Sequence, residues 1–335
     1  MCQPCAFEII LNNDVWEASR NTDPAQPGLK EWKRLTRKRK QYRKCDDRRQ
    51  FLPSIYYGKA VINTKTKKSI VVKTIKSQCF LTLQKKGFWF SFWVMLLFSG
   101  AVYLLHVAGG MGRDVFQMNR PGDYFPLVRW GNGVSYFTIF FPFLAVFPAA
   151  FVSYDEEQGK SFAFGVIRSS WGVYYAAKAV TAFLAGAVLI WVPFGIHILW
   201  NVLTFRDTGN GYDGMAYSVQ YFADESAAFE IIYKRHPIGY QILFVALAGV
   251  FAGICALFAY CVSLYIKKYK ILCVLPLFLL FFATREVEFK GLVLDEYFTF
   301  PLGKECIPAM FMVEVLLLAA GVLLLAGHVK KKELL

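Results

Sequence analysis

The sequence predicts an all-α polytopic membrane protein with six transmembrane helices and both termini in the cytoplasm. Three observations predict it. Of 335 residues, 56% are hydrophobic and 19% charged, against about 45–50% and about 25% in soluble domains. The apolar residues gather in six stretches, 88–109, 134–153, 179–203, 239–266, 271–284 and 307–328, whose single Asp, Glu, Lys or Arg is Glu314. The basic excess, a net charge of +14, lies between and before these stretches. Together they exclude an ordinary soluble enzyme, a disordered chain and a secreted disulfide scaffold.

Five of the stretches have about the 20 residues that a helix needs to cross roughly 30 Å of hydrocarbon. None carries the polar face of a soluble amphipathic helix. Residues 1–87 are too polar to hold the apolar region of a signal peptide, so the first span is expected to act as its own insertion signal. Charge sets the orientation. Segments 1–87, 154–178, 267–270 and 329–335 hold 29 Lys/Arg and 11 acids, whereas 110–133, 204–238 and 285–306 hold 9 and 12. The more basic set belongs in the cytoplasm. Lys85-Lys86, Lys267-Lys268 and Lys330-Lys331-Lys332 directly abut spans, where such charges weigh most. The expected location is the plasma membrane.

The basic region 1–87 precedes the spans. Residues 29–52 hold eleven Lys/Arg interleaved with Leu29, Trp32, Leu35 and Tyr42. They read either as a helix on the anionic inner leaflet or as a solvated tail. Nothing in them resembles an RNA-binding fold, so nucleic acid is not an expected partner. Residues 55–74 suggest a weak hairpin, and Lys76–Lys86 an interfacial helix leading into the first span. Cys2 and Cys5 form a C-x-x-C without a second Cys or His pair at zinc spacing, so no metal site is expected.

Within the spans, Gly249 and Gly253 form a G-x-x-x-G that lets a neighbouring helix approach closely. Pro142, Pro148 and Pro193 are expected to interrupt their helices. Glu314, about two turns into the last span, is a candidate for the translocation path, as are His197 and Asn201 near the outer end of the third. The fifth stretch extends only about 21 Å at 1.5 Å per residue. It is followed by the apolar Gly291-Leu292-Val293-Leu294 and Tyr297-Phe298-Thr299-Phe300-Pro301. This pattern suggests chain dipping back into the outer leaflet as an external gate. The C-terminal tail 329–335 is cytoplasmic on this reading.

The loop 154–178 between the second and third spans carries the most chemistry. It begins Tyr154-Asp155-Glu156-Glu157-Gln158-Gly159-Lys160-Ser161 and ends at Lys178. Gly159-Lys160-Ser161 resembles the end of a phosphate-binding loop, but Tyr154 stands where that loop requires Gly. No catalytic motif is found, and the chain is not expected to be an enzyme. The acids followed by Gly159, Arg168 and Lys178 resemble the cytoplasmic loop of the permease subunits of type-2 ABC exporters. The resemblance extends over residues 76–328 through the span count, the inward termini, the interfacial helix and the apolar segment between spans five and six. It departs at Lys160, where that family often has Thr, and in the spacing to Lys178.

The resemblance implies that 154–171 is a coupling helix docking into a separate ABC ATPase. Glu156 and Glu157 would face the groove, Gly159 would follow them, and Arg168 and Lys178 would fix the segment against the membrane. It also implies a second permease copy or a homologous permease, with ATP bound only by the partner ATPase. A channel or secondary transporter working alone, and a membrane-embedded enzyme, are the alternative classes.

Overall fold

The computed structural model describes residues 64–112, 121, 124–128, 132–148, 150–158, 170–205, 227–266, 269–287 and 293–334. Nearly all of these are helical, and among them the only β-type pairings are isolated bridges. The basic stretch 29–52, the C-x-x-C, and the remaining loop residues lie outside the described residues.

The first described helix, α1, runs from Thr64 to Leu83. It replaces the hairpin expected over 55–74, of which 55–63 are not described. The reason is burial with helical period: Val71, Thr74, Ile75, Gln78 and Thr82 are the less exposed positions, while Val72, Phe80, Leu81 and Leu83 are exposed. A two-residue period would have buried alternate residues instead. The interfacial helix expected at Lys76–Lys86 is the second half of α1, which reaches Thr181 through Cys79 (Sγ to Oγ1, 3.6 Å).

Four helices are long and apolar enough to cross a membrane: α2 (Lys86–Gly110), α5 (Trp171–Thr204), α7 (Pro237–Ser263) and α9 (Cys306–Glu333). They contain the first, third and sixth predicted stretches and all but the last three residues of the fourth. Ser170 caps α5 by accepting a hydrogen bond from the Val173 amide, satisfying one of the free donors of the first turn. Pro237 opens α7, where its missing N–H costs nothing.

The second and fifth stretches are shorter in helical length. The second divides into α3 (Asn132–Val146) and α4 (Ala150–Gln158). The break falls at Phe147-Pro148, whereas the helix runs on through Pro142 and, in α5, through Pro193. The fifth becomes a 3₁₀ turn, Lys270–Cys273, followed by α8, Leu275–Val287. A six-residue helix, α6 (Glu230–Arg235), leads into α7.

The core is the α5–α7 pair. Gly249 and Gly253 of α7 meet Trp191 and Phe183 of α5, and Gly186 of α5 sits on Ala252, Gly253 and Ala256. The G-x-x-x-G reading therefore holds, with Gly186 as its counterpart on the facing helix. Trp191 donates its indole N–H to the Ala246 carbonyl at 3.3 Å.

Contacts at both ends fix helix direction. Phe88 packs with Ala185 and Leu189, and Tyr103 hydrogen-bonds Thr204 at 2.6 Å, so α2 and α5 run parallel. Tyr240 bonds Leu302 at the start of α9, and Tyr265 donates to Leu324 near its end, so α7 and α9 are parallel too. Phe98 packs on Phe137 and Phe90 on Phe147, which makes α3 antiparallel to α2. Phe143 meets Phe278 and Phe141 meets Phe281, which makes α8 antiparallel to α3.

Candidate functional site

Two places in this bundle hold the residues singled out by the sequence. The first is the junction of α4 with the start of α5. Glu156, in the last turn of α4, forms an ion pair with Lys178. It also accepts a hydrogen bond from the Tyr174 hydroxyl at 3.0 Å. The Lys178 ammonium lies 5.1 Å from the centre of the Tyr174 ring. Both charged side chains are largely withdrawn from solvent, 12% exposed for Glu156 and 8% for Lys178.

A carboxylate at a helix C-terminus opposes the helix dipole, and the cation supplied by α5 offsets this. Glu156 thus turns inward to Lys178 and does not lie free for a partner surface. Lys178 and Tyr174 are one turn apart on α5, so one face presents both groups to α4. Glu157 is in α4, but its side chain, together with Gly159 and Arg168, lies outside the described residues.

Around the clamp the helix ends interlock. His328 of α9 is buried, its Nε2 3.4 Å from the Tyr175 hydroxyl. Its ring stands edge-on to those of Tyr175 and Tyr265. Lys332 lies 6.0 Å from the Trp171 ring centre. Glu156 of α4 thus contacts α5 directly, and Tyr175 of α5 connects through His328 of α9 to Tyr265, just beyond α7.

The second place is the opposite half of the bundle. The apolar segment between the fifth and sixth stretches forms a 3₁₀ turn, Leu294–Phe298, and then extended chain. Its aromatic residues are fully inserted: Tyr297, Phe298 and Phe300 are at most 1% exposed. Phe298 packs on Phe137, Phe141 and Phe251 at 4.5–5.3 Å. Phe300 packs on Phe125, Tyr240 and Phe244. Its amide donates to the Leu127 carbonyl at 2.7 Å, and Leu302 accepts from the Ala228 amide at 2.7 Å. Irregular backbone with its polar groups paired is what an apolar surrounding demands. The apolar segment is thus a plug packed within the helix bundle. Beside it, a groove of about 60 Å³ between α3 and α8, lined by Thr138, Pro142, Phe278 and Arg285 among others, is far smaller than the roughly 300 Å³ of a small-molecule pocket.

Glu314 lies on the α7–α9 side of the plug, within electrostatic range of Cys255 and Tyr297. It is buried, and its Oε1 has no hydrogen-bond partner. His197 and Asn201 are also fully buried, but His197 faces α2, where it bonds the Ser99 carbonyl, and Asn201 faces the 124–128 segment, where it bonds the Tyr124 carbonyl. The three candidate translocation residues therefore divide into two separate groups. Replacing Glu314 with Leu is expected to raise the thermal midpoint in detergent, on the order of 1 kcal/mol, because an unpaired buried acceptor is removed. A lower midpoint would show that the carboxyl is structurally required.

No family model, curated protein or solved structure matches the chain.

Sequence reasoning missed His106, whose ring stands edge-on to that of His197 with centres 5.8 Å apart, and Gln241, which donates to the Tyr124 carbonyl. His106 is the one histidine in the first apolar stretch, a signal available to a search that counted histidine with the charged residues. Among the described residues, no three His, Cys, Asp or Glu gather as a metal-binding group.

Glu230 shows a different electrostatic arrangement. Hydrogen bonds from Lys234 (2.7 Å) and Lys304 (3.3 Å) hold its carboxyl below the usual glutamate range. They tie α6 to the turn before α9. Because the folded carboxyl is the stronger acid, its stabilising effect is present above the unfolded pKa of about 4.3 and is lost as pH falls through the folded value. Wild type and E230Q should therefore differ in thermal midpoint at about pH 7 and converge near pH 3. An equal difference at both values would exclude the carboxylate as the cause.

Proposed function

We propose that the chain is the membrane permease subunit of an ATP-driven exporter, crossing the plasma membrane six times with both ends cytoplasmic. The parallel course of α2 and α5 supports the crossing number. A chain that traverses twice in the same direction must return in between, and α3–α4 are the segments available. The parallel course of α7 and α9 makes the same demand of the Lys270–Cys273 turn and α8. With the basic segments inside, the Glu156 clamp is cytoplasmic and the aromatic plug faces outward.

The observation that carries the transport reading is the clamp. Lys178 and Tyr174 of α5 grip α4 just where the loop 159–169 leaves the membrane region. A partner pushing on that loop acts on a helix of 34 residues that reaches the far side of the bundle. In this reading a separate ABC ATPase binds ATP and grips the 154–171 segment. A second permease copy or homologous permease completes the pathway, and the basic α1 rests on the anionic inner leaflet. Glu156 is then a joint within the permease, leaving Glu157 and Arg168 as the groups facing the ATPase or the membrane. The plug is the outer gate, closed in this state.

Affinity purification of the tagged full chain from its native membrane tests the reading. A co-purifying cassette ATPase is expected, with vanadate-sensitive hydrolysis that falls when Glu157 is replaced by Lys. Hydrolysis unchanged by E157K would overturn the coupling role. Transport by the chain without any ATPase would favour a channel or secondary transporter working alone.

A further inference from the structure

The polar groups at the Thr204 end of α5 are paired in a way that leaves one kind of atom over. His197 is fully buried, with Nδ1 3.1 Å from the Ser99 carbonyl. A carbonyl only accepts, so Nδ1 carries the proton and donates. The neutral ring then presents an unprotonated Nε2, which is buried and has no partner. One turn further along the same face, Asn201 donates through Nδ2 to the Tyr124 carbonyl at 2.8 Å, and its Oδ1 is likewise buried without a partner. From α2, His106 brings a third such atom, Nδ1. Its ring lies 5.8 Å from that of His197 and 4.9 Å from that of Tyr124. Tyr124 is held by Asn201 and by Gln241 Nε2, which donates to the same carbonyl at 3.0 Å. Tyr124 thus meets both His106 and Asn201, and its neighbour Phe125 stands edge-on to the His197 ring at 6.3 Å.

Two of these atoms are lone pairs with no proton of their own, and the third is a lone pair when His106 is protonated on Nε2. A buried acceptor without a partner is costly, and three in one place call for an electron-pair acceptor. One water has two protons and serves two of them. A cation serves all three. Two imidazoles select a transition metal over Mg²⁺ or Ca²⁺, which prefer sets made of oxygen alone. The geometry agrees: two imidazoles sharing one ion at about 2.0–2.1 Å place their ring centres roughly 5–6 Å apart. The Ser99 carbonyl behind His197 is the usual outer partner of a metal-binding histidine, fixing tautomer and ring orientation.

From this we infer a divalent transition-metal site, of the zinc type, in which His106 Nδ1, His197 Nε2 and Asn201 Oδ1 are the protein ligands, at the Thr204 end of the α2–α5 pair. It is independent of the exporter reading, since it depends on none of the coupling residues. A fourth position is left for water or an arriving ligand. Bound metal would join α2 to α5 beside the plug.

Zinc binding to the full chain purified in detergent tests this, in a C2S/C5S background that removes the N-terminal C-x-x-C. Titration calorimetry and the zinc-induced shift of the thermal midpoint are the two readouts. The parent is expected to bind one Zn²⁺ per chain and to melt higher with it. H106Q and H197Q should each weaken binding at least about tenfold and lose the thermal shift, with N201A weakened less. The two remaining histidines serve as controls, so H236Q and H328Q should bind like the parent. Absence of binding by the parent, or parent-like binding by both H106Q and H197Q, would overturn the site and leave ordered water as the occupant. An equal thermal shift with Mg²⁺ would overturn the transition-metal assignment. If H197Q fails to fold, the partly exposed His106 allows H106Q alone to decide.

Discussion

Replacing Gly186 with Leu is expected to separate α5 from α7 and to cost at least about 3 kcal/mol, more than overpacking usually does. A Cβ at this position would stand 2.6 Å from the Ala256 Cβ, 2.8 Å from the Ala252 oxygen and 3.2 Å from the Gly253 Cα. Two of these are backbone atoms of a helix and cannot move aside alone. The neighbouring close contact is softer. At Gly249 the obstacle is the Trp191 indole, 2.0 Å from a built Cβ, and a side chain can swing away at the loss of its bond to Ala246. G249A should therefore cost less than G186A. Gly195 meets nothing within 4 Å, so G195A should be neutral or slightly stabilising, as Ala is the better helix former. Thermal midpoints in detergent, read by the loss of the monodisperse size-exclusion peak, rank the three. A G186L protein as stable as wild type would show that α5 and α7 do not pack as described.

The second large effect is expected at the clamp. Lys178→Met should destabilise by about 3–5 kcal/mol, since removing one partner leaves the other charge buried and uncompensated. E156Q should be costly for the same reason. The double variant E156Q/K178M should be more stable than K178M, because no unpaired charge remains, and the cycle then measures the coupling directly. Additive losses would mean that the two groups do not form the pair. Tyr174→Phe removes one hydrogen bond to a charged acceptor, about 1.5–3 kcal/mol, and keeps the ring beneath the ammonium. It should fall between wild type and K178M. The same variants also test the proposed coupling: if the chain drives an ATPase through the clamp, variants that remain folded should lose ATPase stimulation.

Much of the helix pattern was legible in the sequence because segregation of apolar from charged residues is a one-dimensional property. Six apolar stretches, charged only at Glu314, form helices over most of their length, and four of these helices are long enough to cross a membrane. Gly249 and Gly253 announced a close helix contact by spacing alone. The burial of Tyr297, Phe298 and Phe300 followed from finding so apolar a segment next to so short a helix. By contrast, 64–74 misled: its β-branched residues suggested a strand, but the chain forms a helix where one face of Thr64–Leu83 can pack on α5.

What the sequence by itself determined is therefore chemical type: which segments are apolar helices, and where along the chain the charges between them fall. Those follow from the cost of placing charge in hydrocarbon, paid residue by residue along the chain. The tertiary structure decided which distant groups meet. It turned Glu156 to Lys178, divided Glu314 from His197 and Asn201, placed Gly186 against α7, and brought His106 beside His197 from a helix some ninety positions earlier. A side chain's partner depends on the rotation and depth of two packed helices. No single stretch of sequence records that relation, and it is where the clamp and the histidine site arise.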